Sequence, residues 1–142
     1  MKISIAGARL SHLVQKDKIW DHGSMAEHAR IIFYLLFKSK AGGDMESLKR
    51  QCSLSCFEKI KAEIERGETA GSRIITPIVK ELAIVDVQPG KNNKPDMFCA
   101  VIKYHVKETI NGIETMDHSK LFLAKWSFIR QGDWWMLDEI KR

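Results

Sequence analysis

The chain has 142 residues, 44% of them hydrophobic and 29% charged, a balance that suits one globular domain and argues against a disordered or fibrous chain. No apolar stretch approaches the roughly 20 residues that span a bilayer, and the longest run, Ile31 to Phe37, covers seven. The net charge of +5 is spread evenly, with 12 basic and 9 acidic residues up to Gly71 and 11 and 9 beyond it; without clustered Lys/Arg and interleaved aromatics, nucleic acid is not an expected partner.

In chain order, Leu10, Leu13, Val14 and Trp20 form the apolar stripe of a short amphipathic helix, with Lys16 and Lys18 outside it. Such a helix suits an anionic membrane surface, and the alternative is that its stripe docks on the domain itself. Residues 1–23 are read as this amphipathic segment and 24–142 as the domain. Ser24-Met25-Ala26-Glu27 is a capping box that opens a long helix with Met25, Ala29, Ile32, Leu35 and Leu36 on one face, ending at Ala41-Gly42-Gly43. Asp44 is placed to cap a third helix around Met45, Leu48 and Cys52. Ser55-Cys56-Phe57-Glu58 is a second capping box, starting a helix with Phe57, Ile60 and Ile64 inward that Gly67 ends.

After Gly71 the period changes from helical to alternating. Leu82–Val87 reads as a strand and Pro89-Gly90-Lys91-Asn92-Asn93 as a turn-rich loop. Met97–Glu108 alternates Phe98, Ala100, Ile102, Tyr104 and Val106 against Cys99, Val101, Lys103, His105 and Lys107. Asn111-Gly112 is a strong turn signal. Leu121–Arg130 puts Phe122, Ala124, Trp126 and Phe128 on one face, and Gln131-Gly132-Asp133 turns the chain into a last strand, Trp134–Ile140. Helices followed by antiparallel strands predict an α+β fold, with N-terminal helices packed on a curved sheet of about four strands.

Few residues suggest chemistry. Three cysteines without a second Cys-x-x-Cys half, and five histidines without an i+4 partner, make a metal site a poor expectation, and no cofactor is implied. A base-and-donor site of the isomerase kind would draw on Asp86, His105, Tyr104 and Asp138, with Asp86 and Tyr104 the polar groups closest to a pocket by strand position. His105 shares a face with Lys103 and Lys107 and is expected at the surface. No paired carboxylates, nucleophile elbow or phosphate loop stands in the chain. The adjacent Trp134 and Trp135 must face opposite sides of a strand, so one is expected to be exposed.

The last twenty residues carry a specific pattern: Trp126-Ser127-Phe128-Ile129-Arg130, a Gly-Asp turn, then Trp135-Met136-Leu137 and Ile140. With Asp17-Lys18-Ile19-Trp20-Asp21, Gly43-Asp44 and the Ser53–Glu58 helix start, in that order, the chain from Val14 to Arg142 resembles the domain of subunit 44 of the mitochondrial inner-membrane translocase and its bacterial relatives. That resemblance implies the nuclear-transport-factor-two-like, cystatin-like fold, a cone-shaped sheet around a long helix, often dimeric across the outer sheet face. It implies a non-catalytic scaffold in protein transport or tethering, cytoplasmic and peripheral to a membrane or the soluble part of an anchored protein, with a protein partner or an anionic membrane surface. Such relatives usually carry an N-terminal region or membrane segment, of which only the start would be present here. The cone would hold an acyl chain or peptide against Tyr104, Asp86, Trp126, Phe128 and Trp135, with Leu10, Leu13, Val14, Lys16 and Lys18 facing the membrane. The alternative is a small enzyme or carrier for an apolar ligand that uses the same cone.

Overall fold

The structure is a computed structural model that describes residues 10–40, 45–66, 73–117 and 120–141. The chain runs through helix α1 (residues 10–16), a 3-10 turn (Lys18–Trp20), α2 (His22–Lys40), α3 (Met45–Arg50) and α4 (Leu54–Arg66). Strands β1 (Arg73–Gln88), β2 (Met97–Ile110), β3 (Ile113–Met116), β4 (Phe122–Gln131) and β5 (Trp134–Lys141) follow. The fold is α+β: helices packed on one face of an antiparallel sheet ordered β1-β2-β4-β5, with the short β3 paired to the far end of β2.

Local chemistry sets the helix starts, and both caps fall upstream of the predicted ones. Asp21, not Ser24, caps α2: its Oδ2 accepts the Ser24 N–H at 2.9 Å and its carbonyl accepts the Met25 N–H at 3.0 Å. Ser53, not Ser55, caps α4, with its carbonyl accepting from Phe57 N at 2.9 Å and its hydroxyl from Cys56 N at 3.4 Å. The N-terminal apolar stripe is not one helix. It breaks at Asp17, whose carboxylate accepts from Ile19 N at 3.2 Å and opens the 3-10 turn. The predicted stops at Ala41–Gly43 and Gly67, and the Asp44 cap, lie outside the described residues.

The sheet curves because β1 carries two register shifts, at Val79/Glu81 and Ile84/Asp86, and the β4–β5 pair carries one at Ser127/Phe128. Each extra residue bends its strand and adds twist. β1 is more than twice as long as predicted. Pro77 in its first half has no N–H to give a neighbour, which reads against a central strand but is tolerated here because β1 is the sheet edge. β3 was not predicted; it extends β2 through the Asn111-Gly112 turn, where both residues have positive φ (52° and 81°).

The inner sheet face carries Val87, Ile84, Phe98, Ala100, Ile102, Ala124, Trp126, Phe128, Trp135 and Leu137, all buried against Met25, Ala29, Ile32, Phe33 and Leu36 of α2. Leu10 and Trp20 belong to this same core, so the described part of the N-terminal segment packs as part of the domain. Among the described residues, no helix is long and apolar enough to cross a membrane.

Candidate functional site

The space between sheet and α2 is filled by the chain's own side chains. Trp126 is 1% exposed and Phe128 fully buried. Phe98 stacks on Phe128 with centroids 4.6 Å apart and planes 13° off parallel, while Trp135 meets Phe98 edge-on at 4.8 Å. Phe33 of α2 reaches down between Trp126 (5.3 Å) and Tyr104 (4.9 Å). Tyr104 is half-buried among Phe33, Phe37 and Phe122. Of the five residues assigned to a pocket by sequence, four thus share the inner face, as wall and filling.

Asp86 does not join them. It pairs in register with Cys99, on the sheet face away from the helices, and accepts a hydrogen bond from Gln88 Nε2 at 2.9 Å. The displacement comes from the register shift between Ile84 and Asp86, which breaks the simple alternation that would have placed Asp86 beside Leu82 and Ile84. No convergence of Asp86 with Tyr104 is therefore available to a base-and-donor mechanism. His105, expected at the surface, is only 8% exposed, and its Nδ1 donates to the Lys120 carbonyl at 2.7 Å.

Of the N-terminal residues assigned to a membrane, the three apolar ones turn at least partly toward the domain. Leu10 is 4% exposed, and Leu13 and Val14 pack half-buried against the core. The domain covers Leu10 and part of Leu13 and Val14, while Lys16 and Lys18 stay exposed.

One open cleft lies at the end of the sheet where β4 turns into β5. Trp135 points inward, its indole N–H donating to the Ile19 carbonyl at 3.2 Å and its ring meeting Trp20 at 5.2 Å. Trp134 points outward and is 46% exposed, held by a hydrogen bond from its indole N–H to Gln51 Oε1 at 3.0 Å. The His28 ring meets Trp134 edge-on at 4.6 Å. Because a carbonyl only accepts, His28 Nε2 donates to the Trp135 carbonyl at 2.7 Å. Burial of His28 lowers its pKa below the ordinary value; the hydrogen bond to the carbonyl opposes this more weakly. His28, Trp134 and Trp135, with Asp17, Lys18, Ile19, Ser24 and Asp133, line a cleft of about 390 Å³.

Arg130, the last residue of the W-x-F-x-R pattern, ties the cleft to its surroundings. Its Nη1 donates to Asp17 Oδ2 at 2.6 Å and Asp96 Oδ2 at 3.1 Å, and its Nε to the Gly132 carbonyl at 2.7 Å. The guanidinium and the Ile19 N–H hold the Asp17 carboxyl below the usual carboxylate range, and the two carboxylates raise the arginine in turn. In the sequence, Arg130 and Asp17 stood out only as parts of the pattern that carries the resemblance, and His28 had no role. Their contacts span 113 and 107 residues and leave no local signal.

Among the described residues, no three His, Cys, Asp or Glu side chains are grouped to hold a metal. Cys52 and Cys56 are buried free thiols at the start of α4, and the hydrogen bond between them raises the Cys52 thiol, with burial, and lowers that of Cys56.

No family model and no curated protein matches the chain. Among solved structures, the chain is similar to the intermembrane space region of the chloroplast protein ARC6, with a TM-score of 0.48 and 11% identity, covering 82% of this chain and 94% of that one.

Proposed function

We propose that this chain is a non-catalytic interaction domain that engages a protein partner through the cleft around Trp134. The observation that supports the reading is the contrast between interior and surface. The aromatic side chains that could have lined a ligand cavity fill it instead, while an indole with nearly half its area exposed is clamped by His28 and Gln51 at the rim of a cleft. An exposed tryptophan held in one orientation is the kind of anchor that dominates protein interfaces, because little entropy is lost when a partner covers it. The base-and-donor pair that strand position suggested does not form, since Asp86 and Tyr104 lie on opposite sheet faces.

The resemblance to translocase-subunit-44-like domains would place such a module beside a membrane, in transport or tethering. With Leu10, Leu13 and Val14 turned inward, attachment would then come through the partner or through Lys16 and Lys18 alone. A photo-crosslinking amino acid placed at position 134 in the full chain, in cells, tests the reading. Discrete protein adducts at 134 that are missing from a control at the exposed Glu139 are the expected result. Equal, diffuse labelling at both positions would overturn it.

A further inference from the structure

A second concavity lies between α1 and the β1–β2 loop. It encloses about 720 Å³, within the range of ligand-binding pockets, and is lined by His12 and Leu13 on one side and by residues of the loop, with Met97, on the other. Its apolar lining residues are Leu13, Pro89, Pro95 and Met97; its charged lining residues are Lys91 and Lys94, and no carboxylate lines it. Among the described residues neither lysine has an ion-pair partner.

The loop is built to hold these cations in place. Asn92 and Asn93 both have positive φ (52° and 68°), and Lys94 N–H donates to the Lys91 carbonyl at 3.0 Å. This is a tight turn of the type I′ kind, and it brings the two lysine Cα atoms within about 7 Å. Gly90 admits no side chain, because a Cβ there would stand 2.2 Å from the Lys94 carbonyl oxygen. Its N–H donates to Asp96 Oδ1 at 2.6 Å, and the other oxygen of Asp96 is gripped by Arg130. Since Arg130 also holds Asp17 at the end of α1, one guanidinium fixes both walls of the groove. A preformed site loses less entropy on binding than a mobile loop would.

We propose that this groove binds an acidic segment of a partner protein, with its carboxylates on Lys91 and Lys94 and an apolar side chain on Leu13 and Met97. Charge complementarity selects the occupant. Nucleic acid would call for a longer basic track and stacking aromatics, and the groove has two lysines and no aromatic residue in its lining. A bilayer surface is flat and would meet the two lysines without filling the concavity beneath them. This site is separate from the Trp134 cleft, so either reading can fail without the other.

The test is an array of acidic decapeptides, each with four Asp or Glu and one Leu, Ile or Phe, probed with the full chain and with a Lys91→Glu/Lys94→Glu double variant. Both positions lie in an exposed turn, so the variant should keep the wild-type Tm, which is measured alongside. Binding of the best peptides should fall at least about tenfold in the variant and weaken between 0.05 and 0.5 M salt. Their neutral Gln/Asn counterparts should not bind, and Leu13 and Met97 should show chemical-shift changes on titration. Equal affinity for the double variant would overturn the proposal, as would equal binding of acidic and neutral peptides. So would a chain that binds no peptide yet sediments, through Lys91 and Lys94, with vesicles of 30% phosphatidylserine.

Discussion

Replacing Phe128 by alanine removes a ring that is fully buried, stacked on Phe98 at 4.6 Å and flanked by Trp126. Phe→Ala in a packed core costs about 3–5 kcal/mol, from lost transfer free energy and from the cavity left behind. Loss of the ring stack places this site in the upper half of that range. Set against the 5–15 kcal/mol that stabilises domains generally, about 4 kcal/mol removes between a quarter and most of the total. With a urea m-value of about 2 kcal/mol/M, the midpoint should fall by about 2 M at unchanged slope. The corresponding Tm drop is about 15 °C. If the alanine variant is too unstable to purify, Phe128→Leu should lose about 1–1.5 kcal/mol by the same reasoning. The vacated space, on the order of 100 Å³ and apolar on all sides, should stay dry and accept benzene. At ten times its Kd, benzene would return about 1.4 kcal/mol to the variant and nothing to the wild type. A loss under about 1 kcal/mol for Phe128→Ala would mean that the ring already borders open space, which would refute the description of the interior as filled.

Two further predictions concern the groups around the Trp134 cleft. The Asp17 carboxyl is held below its ordinary value by Arg130, so it favours the folded state while ionised, and that contribution disappears as pH falls below about 4 toward the lowered value. Arg130→Met should therefore flatten the acid limb of the stability–pH curve and speed hydrogen exchange at Ile19 and Trp20; an unchanged acid limb would contradict the clasp. His28 has its pKa lowered by burial, so the unfolded chain takes up its proton first, and wild-type stability should decline as pH drops below about 6.5. His28→Gln should remove that decline in a series of urea titrations from pH 7.5 to 5, and a decline of the same size in the variant would contradict the assignment.

Alternation carried most of the sheet reading. Phe98, Ala100, Ile102 and Tyr104 share the inner face with Phe122, Ala124, Trp126 and Phe128, as the pattern predicts, because these central stretches pair without a register shift. It failed at Asp86, where the bulge breaks the period, and it gave no strand for the first half of β1, where Pro77 is tolerated because β1 is an edge. Capping was legible to within a turn: Asp21 and Ser53 outcompete the nearby Ser24 and Ser55, and which serine or aspartate wins depends on how the preceding segment enters. The opposite orientations of Trp134 and Trp135 follow from strand geometry alone. The cleft around Trp134 does not, since it needs His28 from α2, Gln51 from the turn after α3 and Asp17 from the N-terminal segment. The amphipathic stripe at Leu10, Leu13 and Val14 shows the limit plainly. A pattern announces that an apolar face must be covered, and only the tertiary structure shows that the domain's own core takes in Leu10 and part of Leu13 and Val14.

The most direct test of the whole account is a titration of the wild-type chain with a fatty acid and with a steroid, following the methyl resonances of Ile102 and the indole N–H of Trp126. A filled interior predicts no saturable shift at either position up to millimolar ligand. Saturable shifts at Ile102 and Trp126 would show an open cone that holds apolar ligands, and would contradict the reading of this chain as a domain that works through its surface.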